Sequence, residues 1–227
     1  LSSSSAASDV YKRQVMADLV INHASSRGLW FANFLKDKSP GKNYFFTVNN
    51  KFNVSKVVRP REHRLLKKIK LFNKNQYLWR TFSPDQIDLN FKNPKVLIYF
   101  LKIIKFYIDN GVSVLRLDAV AFLWKKEGTN CINLPETHSI IRLIRLIVEN
   151  YSPNSIIITE TNIPSHENLS YFGNNNEAHC IYNFSLAPLL IHAIISGSSF
   201  YLKKWSRSMP PAPVSYTHLT LPTKRIV

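Results

Sequence analysis

Cysteine is scarce in this chain: Cys131 and Cys180 are the two in 227 residues. No C-x-x-C pair occurs, which argues against a disulfide framework or a zinc ribbon and fits a reducing compartment. Long apolar runs are also missing. The longest, Val96 to Ile108, is broken by Lys102 and Lys105, and Leu1 to Ser8 lacks the apolar centre of a signal peptide. The reading is a cytoplasmic protein with no membrane partner. Acidic residues are few, 14 Asp+Glu against 30 Lys+Arg, for a net charge of +16. What the chain does have, 45% hydrophobic and 12% aromatic residues, suffices for a buried core and excludes a disordered polymer.

The basic excess peaks between Lys56 and Arg80, where nine Lys/Arg face one Glu. No helix-turn-helix, RNP or OB signature accompanies it, so it reads as a solvated face, with no nucleic acid as partner. His63, His138, His166, His179 and His192 have no metal-ligand spacing.

The two ends differ from the rest. Leu1 to Gln14 is a serine-rich leader without periodicity, and Pro213 to Val227 follows the helix-breaking run Met209 to Pro213. Both look like translated adapter sequence, so residues 1–14 and 213–227 are read as non-native tails on a fragment. Between them, Val15 to Ile21 is a short apolar run that ends in Asn22-His23 and reads as a buried strand. Residues 24–93 are irregular and rich in aromatics, too long for a structureless loop, and are expected to form a small subdomain. Asn93-Pro94 opens a helix that Asn110-Gly111 closes. Val112 to Leu117 and Ser155 to Thr159 read as buried strands, Pro135 to Tyr151 as the helix between them, and Ile181 to Ser185 as a fourth strand before the apolar helix Leu186 to Ile195. Apolar strands alternating with helices predict an α/β fold with a parallel sheet covered on both faces.

In β/α barrels the functional side chains stand at the C-terminal ends of strands. This chain puts His23, Arg116, Asp118 and Glu160 at three such ends. Asp118 and Glu160 close successive strands, and adjacent strands lie close enough to supply the ~5–5.5 Å carboxylate spacing of a retaining glycosidase. Arg116, two residues before Asp118, points to the same face, where a guanidinium would keep a nucleophile ionised. Glu160, as the acid, would need a raised pKa. Spacing alone leaves an Arg116–Asp118 salt bridge without chemistry as an equal alternative.

The stretches Asp18-Leu19-Val20-Ile21-Asn22-His23, Arg116-Leu117-Asp118-Ala119-Val120 and the Ile-Thr-Glu ending at Glu160 resemble, in order, three conserved regions of the alpha-amylase superfamily. Gln86-Ile87-Asp88-Leu89-Asn90 resembles a fourth stretch, near the end of that superfamily's B domain. The wording of Arg80 to Phe91, Asp118 to Lys125 and Thr159 to Pro164 is similar to the sucrose phosphorylase group, including its glucosylglycerate phosphorylase members. Amylosucrase is similar around Asp118 to Pro135. The resemblance implies a partial (β/α)8 TIM barrel, about strands 3 to 6, formed by residues 15–23 and 94–212, with a B-domain insertion over 24–93.

It further implies a catalytic nucleophile, Asp118, and a general acid/base, Glu160. Arg116 would be the nucleophile's partner and His23 a contact to the glucosyl ring; Asp18, counted with the substrate-binding residues, and Asn22 would have mainly structural roles. The implied reaction moves glucosyl from sucrose or a glucosylglycerate-like donor to inorganic phosphate, with no cofactor. Asn22 resembles a calcium ligand of amylases, but the sucrose phosphorylase group does not depend on calcium, so no metal is expected. An amylosucrase-like transglucosidase, an α-glucosidase, and an inactive half-barrel serving as a basic binding protein are the alternatives. The family's fourth region, a His-Asp pair, has no match after Ile181, so the fragment by itself is expected to be inactive.

Overall fold

Four parallel strands form the central sheet of the computed structural model, which describes residues 14–209. The terminal segments read as foreign lie outside the described residues apart from Gln14. In sheet order the strands are β1 (Val15–Val20), β7 (Val112–Asp118), β8 (Ile156–Thr159) and β9 (Cys180–Ile181). The register sets Asp18 opposite Arg116, Val20 opposite Asp118, and Leu117 opposite Thr159. Helix α2 (Pro94–Asp109) leads into β7 and α3 (Pro135–Tyr151) leads into β8.

Both helices start where the sequence grammar puts them. The Asn93 side chain accepts the Lys95 N–H at 3.1 Å and Pro94 takes the first helical position, where its missing N–H costs nothing. Gly111, at φ +84, lets the chain leave α2 in a left-handed turn. Val96, Phe100 and Ile104 on α2, and Ile141, Ile144 and Val148 on α3, are buried at helical spacing against Leu115, Leu117 and Ile157. Each such aliphatic side chain contributes about 1.5–3 kcal/mol through burial.

The opposite face of the sheet carries Val114, Ile158 and Cys180, packed as a small cluster of their own with Ile156 and Tyr182. Arg116, Asp118 and Glu160 stand on this face by period-two alternation. Sequence reasoning expected cover on both faces, but β1 alternates: Ala17 and Leu19 are buried while Met16 and Val20 remain 43% and 41% exposed. β1 is an edge strand of the described sheet, with no strand beyond it among the described residues.

Residues 23–93 contain β2 (His23–Ser25) paired with β6 (Gln86–Asp88), helix α1 (Leu29–Leu35), and an antiparallel sheet of β3 (Thr47–Val48), β5 (Lys74–Trp79) and β4 (Leu66–Leu71). Phe31, Phe34, Tyr44 and Phe45 join the main core, whereas Phe46, Val48, Leu65 and Trp79 form a second one.

The fourth strand is shorter than expected. It spans Cys180–Ile181 rather than Ile181 to Ser185, because Asn183 Oδ1 accepts the N–H groups of Ser185 and Leu186 and turns the chain into helix α5 (Leu186–Ser196). Short helix α4 (Ser165–Leu169) precedes β9, and α6 (Phe200–Arg207), which the sequence reading did not foresee, comes after α5. Among the described residues no helix is long and apolar enough to cross a membrane.

Candidate active site

Asp118 is the last residue of β7 and Glu160 the first after β8. The Glu160 N–H continues the ladder by donating to the Leu117 carbonyl at 2.9 Å, which fixes the height of Glu160 relative to Asp118. Between them sits Ala119, whose φ of +55 and ψ of +33 are left-handed, a conformation that costs a residue with a Cβ roughly 1–2 kcal/mol. That turn aims the Ala119 N–H at Glu160 Oε2, 3.1 Å away. The backbone immediately after one carboxylate therefore holds the other.

Arg116 joins the opposite side. Its Nη1 donates to Asp118 Oδ1 at 3.0 Å and also to Asp18 Oδ1 on β1. The Tyr182 ring, just past β9, lies 5.0 Å from the guanidinium carbon. Burial opposes the charge of Arg116, but Asp18, Asp118 and Tyr182 outweigh it and hold its pKa above the ordinary value. For Glu160, burial is the largest influence and raises the pKa; the negative charge of Asp118 raises it further, against the Ala119 N–H and Arg116. One carboxyl of the pair thus has its pKa raised, the direction that the acid of a double-displacement reaction needs.

His23 does not end β1, as the sequence suggested, but opens β2 opposite Asp88; it is buried, with its ring 5.3 Å from that of Phe82, which in turn lies 5.1 Å from Phe122. Burial lowers the His23 pKa, and Lys125 adds to this, against the pull of Asp88 and Asp118. Asn22 Nδ2 lies 3.4 Å from His23 Nδ1, which leaves Nε2 as the ring atom to bond a sugar hydroxyl. The structure brings together Asp18, Arg116, Asp118 and Glu160 on adjacent strand ends, and sets His23 within electrostatic reach of Asp118.

Beneath His23 lies a polar network that sequence reasoning missed. Asp88, fully buried, accepts from Lys125 Nζ at 2.7 Å, the Thr81 hydroxyl at 2.7 Å, the Thr81 N–H at 2.9 Å and Asn22 Nδ2 at 3.0 Å. Asn22 Oδ1 accepts a second Lys125 N–H at 3.0 Å. Asn22, Asp88 and Lys125 come from β1's exit, β6 and the segment after Asp118, so one ammonium ties three parts of the chain together below the site. The signal was present as a lone Lys closing the apolar run Ala119 to Trp124. Tyr182 was missed because it lies beyond a two-residue strand.

Lys125→Met in a full-length protein carrying this segment should cost about 3–5 kcal/mol, because it leaves the Asp88 charge buried without its cation. Denaturant unfolding measures this, and an unchanged midpoint would show that the pair contributes nothing. Among the described residues no cluster of His, Cys, Asp and Glu could hold a metal ion.

The alpha-amylase catalytic-domain family matches residues 8–208 of the chain. The chain belongs to that family. It is 42% identical over 196 residues to a glucosylglycerate phosphorylase of Spirochaeta thermophila, covering 86% of this chain and 33% of that protein. It is 41% identical over 197 residues to the glucosylglycerate phosphorylase of Escherichia coli, covering 86% and 35%. The chain therefore spans about a third of the length of these relatives. The structure of a sucrose 6F-phosphate phosphorylase from Thermoanaerobacter thermosaccharolyticum superposes with a TM-score of 0.75 at 24% identity, over 89% of this chain and 43% of that one. At that identity the likeness establishes the fold: an α/β partial domain of a (β/α)8 catalytic barrel.

Proposed function

We propose that this segment carries the nucleophile and the acid/base of a retaining glucoside phosphorylase that acts on glucosylglycerate or sucrose. Its four parallel strands are read as barrel strands three to six and residues 24–93 as the B-domain insertion. Asp118 attacks the anomeric carbon of an α-glucoside while Glu160 delivers its proton to the departing oxygen; the glycosidic bond breaks and a β-glucosyl ester forms on Asp118. An oxygen of hydrogenphosphate then attacks the same carbon from the opposite face, displacing Asp118 as its carboxylate and giving α-glucose 1-phosphate, while the phosphate's proton passes to the Glu160 carboxylate and restores the acid. Arg116 orients Asp118, with Asp18 fixing the guanidinium from β1, and His23 bonds the glucosyl ring. A cytoplasmic site, where phosphate is abundant, suits this chemistry.

The observation that carries the reading is the asymmetry of the two carboxyls. Asp118 bonds Arg116 at 3.0 Å, whereas Glu160 is half-buried and has its pKa raised. Phosphate as acceptor is supported by the names of the relatives.

The test is an assay of a full-length protein with glucosylglycerate or sucrose, with and without phosphate. Glucose 1-phosphate as main product is expected, and free glucose would move the protein to the hydrolases. The pH profile adds a second check. Glu160 must be protonated to act as acid, so kcat/KM should fall as pH rises through its elevated pKa. Glu160→Gln should erase that limb, and an unchanged profile would remove Glu160 from the role.

A further inference from the structure

Two cavities on the 24–93 segment and the start of α2 share Asn90 and Lys92 and form one groove. The larger, about 540 Å³, is lined by Phe46, Phe52, Asn75, Gln76 and Lys74. The other, about 360 Å³, adds Ser39, Lys42 and Lys95. No Asp or Glu lines either cavity. Lys42 is neutralised by Asp37 at 2.7 Å, but among the described residues no carboxylate pairs with Lys74, Lys92 or Lys95.

Lys92 stands at the junction. Its Nζ lies 5.7 Å from the centre of the Phe46 ring and 5.8 Å from that of Trp124, so two aromatic faces hold the ammonium without cancelling its charge. The side-chain amides of Asn75 and Gln76 make no hydrogen bond among the described residues. An amide offers a donor and an acceptor side by side, which matches neighbouring sugar hydroxyls. Ammonium groups bind phosphate or carboxylate as point charges. Volumes of this size hold a small ligand.

We propose that this groove is a second ligand site, separate from the carboxylate pair, which takes a saccharide bearing an anionic group. The sugar lies along the Asn75 amide and Phe52, which share a face of β5 with Phe46, and the anion meets Lys92 and Lys95. Through Lys92 the groove is linked to the Trp124 ring, in the segment that follows β7. The site does not depend on the phosphorylase reading and stands or falls separately from it.

The experiment is a calorimetric titration of a full-length protein with glucose 6-phosphate and with glucuronate, beside glucose alone and inorganic phosphate alone. Both anionic sugars should bind at least roughly tenfold more tightly than either component, and more weakly at high salt. Lys92→Gln with Lys95→Gln should weaken them roughly tenfold with unchanged melting, and Asn75→Ala should weaken the sugar contribution. His23→Ala should leave binding intact. Loss on His23→Ala without an effect of the lysine pair would place the ligand at the carboxylates and overturn the proposal. Inorganic phosphate matching the sugar phosphate, or no binding at all, would overturn it too.

Discussion

Asp118→Asn in a full-length protein should lower turnover by about 10⁴-fold or more, since a covalent mechanism loses its nucleophile while binding groups stay in place. The substitution is close to isosteric, and the carbonyl of the amide can still accept from Arg116, so the fold should melt at nearly the same temperature. KM should change far less than kcat. Trapping is the sharper measurement: a fluorinated glucosyl donor that labels the native protein at Asp118 should leave the variant unlabelled. Near-normal turnover, or label on another carboxylate, would end the assignment of Asp118 as nucleophile and leave the Arg116–Asp118 pair as a structural tie.

The 227-residue chain expressed alone should associate or remain molten and show no measurable turnover. A closed barrel has no edge strands, whereas the described sheet ends at β1 on one side and at β9 on the other. β1 presents an unpaired backbone row beside exposed Met16 and Val20, and such an edge templates pairing with further chains. Helix α5 has no buried residue and leaves Ile194 and Ile195 80% and 81% exposed, an apolar face of the kind that drives association. Size-exclusion chromatography with light scattering checks this. A monomer that melts cooperatively would contradict it, and one that forms glucose 1-phosphate would show that two thirds of the relatives' length is dispensable.

Local grammar made the helices legible. Asn93 with Pro94, and Pro135, announce the starts of α2 and α3 because capping depends on near neighbours in sequence. The strand ends were legible for a related reason: an apolar run ending in Asp or Glu places a charge where a barrel opens. The end of β9 was not, since the amide of Asn183 captured two N–H groups and stopped the strand early. Nor did spacing reveal Lys125 with Asp88, whose contact depends on how β6 docks on the segment after β7. The left-handed turn at Ala119 also lay out of reach, since nothing about alanine favours that conformation and the surrounding structure imposes it.

The buried knot of Asn22, Asp88 and Lys125 has a consequence for how this lineage can vary. Its members are separated by 66 and 103 positions, yet each satisfies the others' polar atoms. Losing the lysine first strands a carboxylate in the interior, and losing the aspartate first strands an ammonium; either intermediate is worse than the start or a fully apolar replacement. Descendants that differ here should therefore differ at both charged positions together, with single changes purged. The three sites form one heritable unit, and a comparison across many descendants should show them drifting in step while the lysines of the β4–β5 hairpin come and go independently.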